Sequence, residues 1–259
     1  VRQSISDILA LRAALNVSNL TQAGTINPTK VSFIGHSLGG ITGTTAVAMA
    51  NTPVQSATLS AEQKAAIDGL FGIETATLAM PGGAVANFLL ESPAFGNLIK
   101  ANVMLGSTTL GAGFKTFVDG KGVCVTPATY VGCAATFADA YLADLTAKGQ
   151  TATLAAISST LTQFAFAAQT VTDAGDPNNY AAALVASNTP VHVMEVVGNG
   201  STFKSDQVIP NQAVNMPLAG TEPLARLLGK TMVRFEKSCE NFSKIVCDSF
   251  CKKVSVGIV

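Results

Sequence analysis

Gly35-His36-Ser37-Leu38-Gly39 places a serine between two glycines, directly after the apolar run 31–34 and ahead of the small-residue run 46–50. A G-x-S-x-G pattern between strand and helix is a nucleophile elbow: the serine sits at the tip of a strained turn, its hydroxyl raised above the sheet. Outer glycines carry no Cβ and let the two elements pass closely. The chemistry this permits is attack of the Ser37 hydroxyl on an ester carbonyl, giving an acyl-enzyme that water then cleaves. Charge developing on the carbonyl oxygen needs donors, and the start of the helix offers unpaired N–H groups and the positive end of its dipole. The N–H of Leu38 is the expected oxyanion donor. His36 is not the expected base, because neighbouring side chains on a sharp turn diverge and a base must come within about 3 Å of the hydroxyl. It reads as a packing or hydrogen-bonding residue.

Such an elbow belongs to a triad met in the chain order serine, acid, histidine. The acid is expected in the loop after the strand at 190–197, where Asp206 lies in Ser205-Asp206-Gln207-Val208-Ile209-Pro210. A carboxylate there would fix the tautomer of a histidine and stabilise its imidazolium. Asp173 and Asp176 sit among Gly, Pro and Asn and read as turn residues. Glu195 alternates to one face of its strand, and Glu222 falls too far along. The gap is the histidine. The sequence holds only His36 and His192, both ahead of Asp206 and the second inside a strand. The base is expected after Phe235, where the chain reads Glu236-Lys237-Ser238-Cys239-Glu240-Asn241.

A sheet has to hold these groups. Val1, Ile5, Ile8, Leu9, Arg12 and Leu15 fall along one side of a helix expected to pack on it. Short strands are expected at 30–34, 75–80 (stopped by Pro81-Gly82-Gly83), 190–197 and 231–235, alternating with helical segments, which predicts a parallel α/β sheet. A polar, Ala-rich connection runs through 61–64. Between the second and third strands, Phe137, Tyr141 and Leu145 form one amphipathic stripe. Leu154, Ile157, Leu161, Phe164 and Ala168 form another. A helical insertion at this place is where a cap or lid would sit, or it completes the core. The glycine-rich stretch 106–122 lacks the Gly-Lys-Ser/Thr ending of a phosphate loop and reads as flexible connection. The expected organisation is therefore core with elbow over 1–83, helical cap over 84–188, core with acid loop over 189–235, and an atypical tail over 236–259.

Composition narrows the class. The 259 residues are 48% hydrophobic and 12% charged, with a formal net charge of zero. Neutral balance gives no electrostatic reason to expect nucleic acid, and no apolar run reaches the roughly 18 residues of a membrane span. Low charge suits a secreted protein that handles apolar substrates. Cys124 and Cys133 bracket a loop containing Pro127 and Gly132. They are candidates for a disulfide formed in an oxidising compartment, or else two buried thiols. Cys239, Cys247 and Cys251 lack a fourth cysteine or a nearby histidine for structural zinc, and no metal or organic cofactor is implied. The chain opens in mid-helix with no visible signal peptide, and its cysteine- and lysine-rich end departs from the Ala/Leu/Gly-rich body. The reading is an internal piece of a longer hydrolase, carrying a tail such as a shifted frame produces.

Val-Ser-Phe-Ile-Gly-His-Ser-Leu-Gly-Gly-Ile-Thr-Gly, Ala79-Met80-Pro81-Gly82-Gly83, Asp206-Gln207-Val208-Ile209-Pro210-Asn211 and Gly220-Thr221-Glu222-Pro223-Leu224 together resemble the extracellular lipases and phospholipase A1-type virulence-factor lipases of gammaproteobacteria. The resemblance covers position 1 to about 235. It implies a partial α/β-hydrolase fold with a helical cap, exported or attached to the cell surface, cleaving acyl esters of lipids. Ser37 would be nucleophile and Asp206 acid, with the lid meeting a lipid surface. The missing histidine and N-terminal half are departures that leave this chain without a complete triad. Two rivals share the fold: a lipid-binding module without chemistry, and an acyltransferase passing the acyl group to an alcohol.

Overall fold

Alternating apolar residues bring three short strands into one parallel sheet, β1 (Ser32–His36), β2 (Thr75–Ala79) and β3 (Val191–Val196), with Ala76 opposite both Phe33 and Val191 and Leu78 opposite both Gly35 and Val193. The computed structural model describes residues 1–17, 26–234 and 254–257. Two further strands, β4 (Met232–Arg234) and β5 (Val254–Gly257), extend the sheet in the order β1-β2-β3-β5-β4. β5 runs antiparallel to both its neighbours, so the fourth expected strand does not join the parallel set directly.

Helices cover one face. α1 (Arg2–Ala14) packs on α2 (Leu38–Ala50), which follows the elbow and buries Val47 and Ala48 completely. α10 (Ala181–Ala186) and α11 (Thr221–Leu227) complete this layer, so that Leu78, Val191, Val193, Leu184 and Leu224 form one core. On α1 the buried positions are Ile5 and Arg12, while Val1 lies exposed. Buried Arg12 donates through Nε and Nη2 to the carbonyls of Gly72 and Pro28 at 2.7 and 2.9 Å, while its Nη1 has no hydrogen-bond partner. The opposite face is bare at β1. Ser32, Ile34 and His36 point away from α2, and Ile34 is 78% exposed. Among the described strands β1 lies at one edge of the sheet.

The polar connection at 61–64 is a helix, α3 (Ala61–Phe71), started by a capping box in which Ser60 and Gln63 satisfy each other's backbone N–H. That signal stood in the sequence as Ser-Ala-Glu-Gln.

Between β2 and β3 come α4 (Val85–Glu91), α5 (Gly96–Gly106), α6 (Gly111–Asp119), α7 (Tyr130–Ala135), α8 (Ala138–Ala147) and α9 (Thr151–Thr172). They build a second core, separate from the first, around Met104, Phe114, Val118, Ala134, Tyr141 and Ile157. Tyr141 is flanked by Phe114 and Phe117, each ring centroid 5.2 Å away. Cys124 and Cys133 are joined by a disulfide, Cα atoms 5.6 Å apart. The glycine-rich stretch is not a flexible connection. Over 111–119 it is α6, and Phe114 and Val118 on one of its faces are fully buried. α9 buries only Ile157 and Ala165, and Phe164, expected on its apolar face, is 41% exposed. α10 packs on α2 with the sheet rather than with the insertion's core. No helix among the described residues is long and apolar enough to cross a membrane. Cys239 and Cys247 lie outside the described residues, as do Cys251 and most of the tail.

Candidate active site

Parallel strands bring their carboxyl ends to one edge, and three loops meet there. Ser37 follows β1 with φ 53° and ψ −117°, a conformation that costs a side-chain-bearing residue about 1–3 kcal/mol. Its surroundings enforce it. The N–H of Ser37 donates to the carbonyl of Ala79 at 2.8 Å, and its own carbonyl accepts the first α2 bond, from Ile41 at 3.0 Å. A Cβ on Gly35 would collide with the carbonyl of Gly39, and one on Gly43 with the ring of Phe33, so strand and helix approach as only glycines allow. Gly39 differs from the expectation that both outer glycines are needed for space. A Cβ there meets nothing within 4 Å, and it is the carbonyl of Gly39 that presses on Gly35.

The serine is half-buried, and as N-cap of α2 its side chain accepts no capping hydrogen bond. Its hydroxyl is thus not committed to the helix it precedes. Leu38 is the first residue of α2, where an N–H has no acceptor within the helix, and its side chain lies exposed. This is the geometry in which an N–H at a helix start faces an oxyanion.

Strain is concentrated on this edge. Of the four non-glycine residues with positive φ among the described residues, Ser37 and Met80 directly follow β1 and β2, and Ala84 lies in the loop after β2. The loop after β2 is held from two sides. Gly83 and Gly220 exchange backbone hydrogen bonds at 3.2 and 3.1 Å, and the Thr221 hydroxyl donates to the carbonyl of Pro81 at 2.6 Å. Asp176 supplies the other clamp. Its carboxylate is buried and accepts from the N–H groups of Ala84 and Val85 at the start of α4, at 3.0 and 2.8 Å, and from the Gln169 amide at 2.9 Å. The sequence signal, an aspartate before proline, looked the same as an exposed turn. Its partners lie about ninety residues away.

Asp206 follows β3, its N–H donating to the carbonyl of Val196 at 3.0 Å. Oδ1 accepts from the N–H groups of Val208 and Ile209 at 2.8 and 3.1 Å, which fixes the carboxylate on its own loop. Ser37 and Asp206 therefore share the carboxyl edge of the parallel sheet, two strands apart, a lateral step of roughly 10 Å. A span of that order leaves room for an intervening ring. Neither histidine fills it. His36 lies exposed on the uncovered face of β1, and His192 sits near the start of β3, four residues or roughly 13 Å short of its carboxyl end.

One further acid was passed over in the sequence. Glu195 on β3 is only 2% exposed on the covered face, and Oε2 has no hydrogen-bond partner. Burial, helped by the negative charge of Glu222, pushes its carboxyl up to about 7. It lies beneath the helices and offers no access to a substrate. Among the described residues no group of histidine, cysteine, aspartate and glutamate is placed to hold a metal ion.

Residues 4–86 match the model of the family described as "Putative serine esterase (DUF676)". No curated protein and no solved structure matches the chain. The family match runs from α1 through the elbow to the first turn of α4, so it takes in Ser37 and leaves Asp206 and the insertion outside. The mixed α/β architecture, with its small parallel sheet, elbow and many helices, is a partial α/β-hydrolase fold, and the match is to serine esterases in general.

Proposed function

We propose that Ser37 is the nucleophile of a serine hydrolase acting on acyl esters of lipids, with Asp206 as the acid of the triad and the N–H of Leu38 as one oxyanion donor. The observation that carries this is the backbone of Ser37, held in a costly conformation by close packing at Gly35 and Gly43 while its hydroxyl is left out of helix capping. Strain kept at one residue with a nucleophilic side chain is what a reactive turn requires. In the reaction Oγ bonds to the ester carbon while its proton passes to a base. The base returns that proton to the departing alcohol, and water then releases the acid. Neither His36, turned to the uncovered face of β1, nor His192 lies between Ser37 and Asp206, so this chain is expected to turn esters over only slowly. Residues 84–188 act as the cap over the acyl side. Export or surface attachment is supported by the Cys124–Cys133 disulfide, and the substrate class by the low charge of the chain.

Free imidazole can stand in for the absent ring. Hydrolysis of a p-nitrophenyl ester is expected to gain a component that rises with imidazole and saturates, and that disappears in Ser37→Ala and falls at least tenfold in Asp206→Asn. Equal imidazole-dependent rates in the three proteins would remove Ser37 from the chemistry. The missing base favours one rival, a module that binds lipid without turnover. Binding with no Ser37-dependent rate at any imidazole concentration is its signature. An acyltransferase would instead yield a new ester when an alcohol is added.

A further inference from the structure

α5 and α9 run antiparallel in the insertion and leave between them an open groove of about 920 Å³. Leu98, Ile99 and Val103 line it from α5 and Phe164 and Ala167 from α9, interspersed with uncharged polar residues such as Asn102 and Gln163, and Gly106 lies at the far end. No charged residue lines it, whereas Arg12, Asp68 and Glu74 line the cleft at the amino-terminal edge of the sheet and Lys230 the smaller one beside it. Phe164 and Leu98, both left open to solvent, line the groove from its two helices and take no part in the insertion's core.

Both walls are pinned at one end to the candidate site. α5 starts just after Ser92 and Ala94, whose hydroxyl and N–H both donate to the carbonyl of Gln207, the neighbour of Asp206, at 3.1 and 2.8 Å. Gln169 lies in the last turn of α9, and its side chain accepts from the N–H of Ala86 at 3.1 Å and donates to Asp176 beneath the loop after β2. The groove thus opens next to the carboxyl edge and runs outward along α5 for roughly 12 Å, the eight helical steps from Leu98 to Gly106.

We infer that this groove binds the single extended acyl chain of the substrate, methyl end outward toward Gly106. The inference rests on the ester-hydrolase reading of Ser37, and it adds where the chain lies. An uncharged, mainly apolar groove beside the loops of the candidate site fits one alkyl chain, and a charged ligand would find no ion-pair partner in it.

The chain contains no tryptophan, so Phe164→Trp places a single fluorophore in the groove. The measurement uses this substitution on a Ser37→Ala background, where no chemistry occurs, and titrates ω-bromooctanoate and ω-bromododecanoate below their micelle concentrations. Bromine quenches the indole on contact. Saturable quenching is expected, with affinity rising by about fourfold for each added methylene, and Ala167→Phe, which narrows the groove, is expected to weaken dodecanoate at least tenfold while circular dichroism stays unchanged. Quenching that does not saturate, that ignores chain length, or that persists in Ala167→Phe would overturn the assignment. Because binding is read without turnover, a silent Ser37 in the imidazole experiment leaves this result standing, and an empty groove leaves Ser37 untouched.

Discussion

The sheet region and the helical insertion are built by different means. Around the elbow the decisive contacts involve backbone: Gly35 against the Gly39 carbonyl, the backbone of Gly43 against the ring of Phe33, Ser37 and Gly83 tied to their neighbours by N–H bonds. In the insertion they are side chain against side chain, with Phe114, Tyr141 and Phe117 stacked in a core of its own and one disulfide across a nine-residue separation. A core of the second kind tolerates exchange of one apolar residue for another. Backbone contact of the first kind tolerates almost none. Precision is thus invested beside the hydroxyl of Ser37, and adaptability in the helical insertion.

Four changes probe that contrast. Gly35→Ala is expected to cost the most, roughly 3–5 kcal/mol, because the added methyl meets backbone that has no rotamer to change. The urea midpoint should fall at constant slope, and a loss below 1 kcal/mol would show the approach to be softer than drawn. Asp176→Ala follows at about 2–4 kcal/mol, since the buried N–H groups of Ala84 and Val85 lose their acceptor. Hydrogen exchange at those two amides should rise before exchange in the sheet does. Replacing Cys124 and Cys133 together by serine is expected to remove about 2–3 kcal/mol. Faster exchange should be confined to the insertion, and its spread into β1 or β2 would erase the division between the regions.

The smallest effect belongs to Glu195. Its folded pKa of about 7 lies above the ordinary 4.5, so the folded state holds the proton more tightly than the unfolded one. Stability from this group is complete below 4.5, drains as pH rises toward 7, and is gone above it. Glu195→Gln keeps the shape and cannot ionise. Relative to wild type it should gain about 1–2 kcal/mol at pH 8 and nothing at pH 4. Parallel stability curves for the two proteins would show that the carboxyl is not shifted.

What the sequence disclosed follows the same division. The elbow was readable because its geometry demands particular residues, Gly35 and Ser37, in fixed order after a strand. β2 and β3 were readable from apolar runs that end at Pro81-Gly82-Gly83 and Gly198, and Asp206 stands where chain order put an acid. Asp176 was hidden, since an aspartate before proline looks alike whether it faces water or two distant amides. The helix at 111–119 was masked by its glycines, which drew attention from Phe114 and Val118. Phe164 follows the helical period but falls outside the narrow stripe that α9 buries. The bare face of β1 was beyond reach altogether: Phe33 and Ile34 are equally apolar in the sequence, and only the fold decides which is covered.

That bare face has a cost in the test tube. A strand with unladdered amides along its outer margin and an isoleucine turned to water will add to any other strand, including its own copies. At high concentration the polypeptide is expected to self-associate through this margin, with a sedimentation coefficient that rises with concentration. A lysine in place of Ile34, borrowed from the way natural sheets guard their margins, is then expected to hold it as a monomer over the same range.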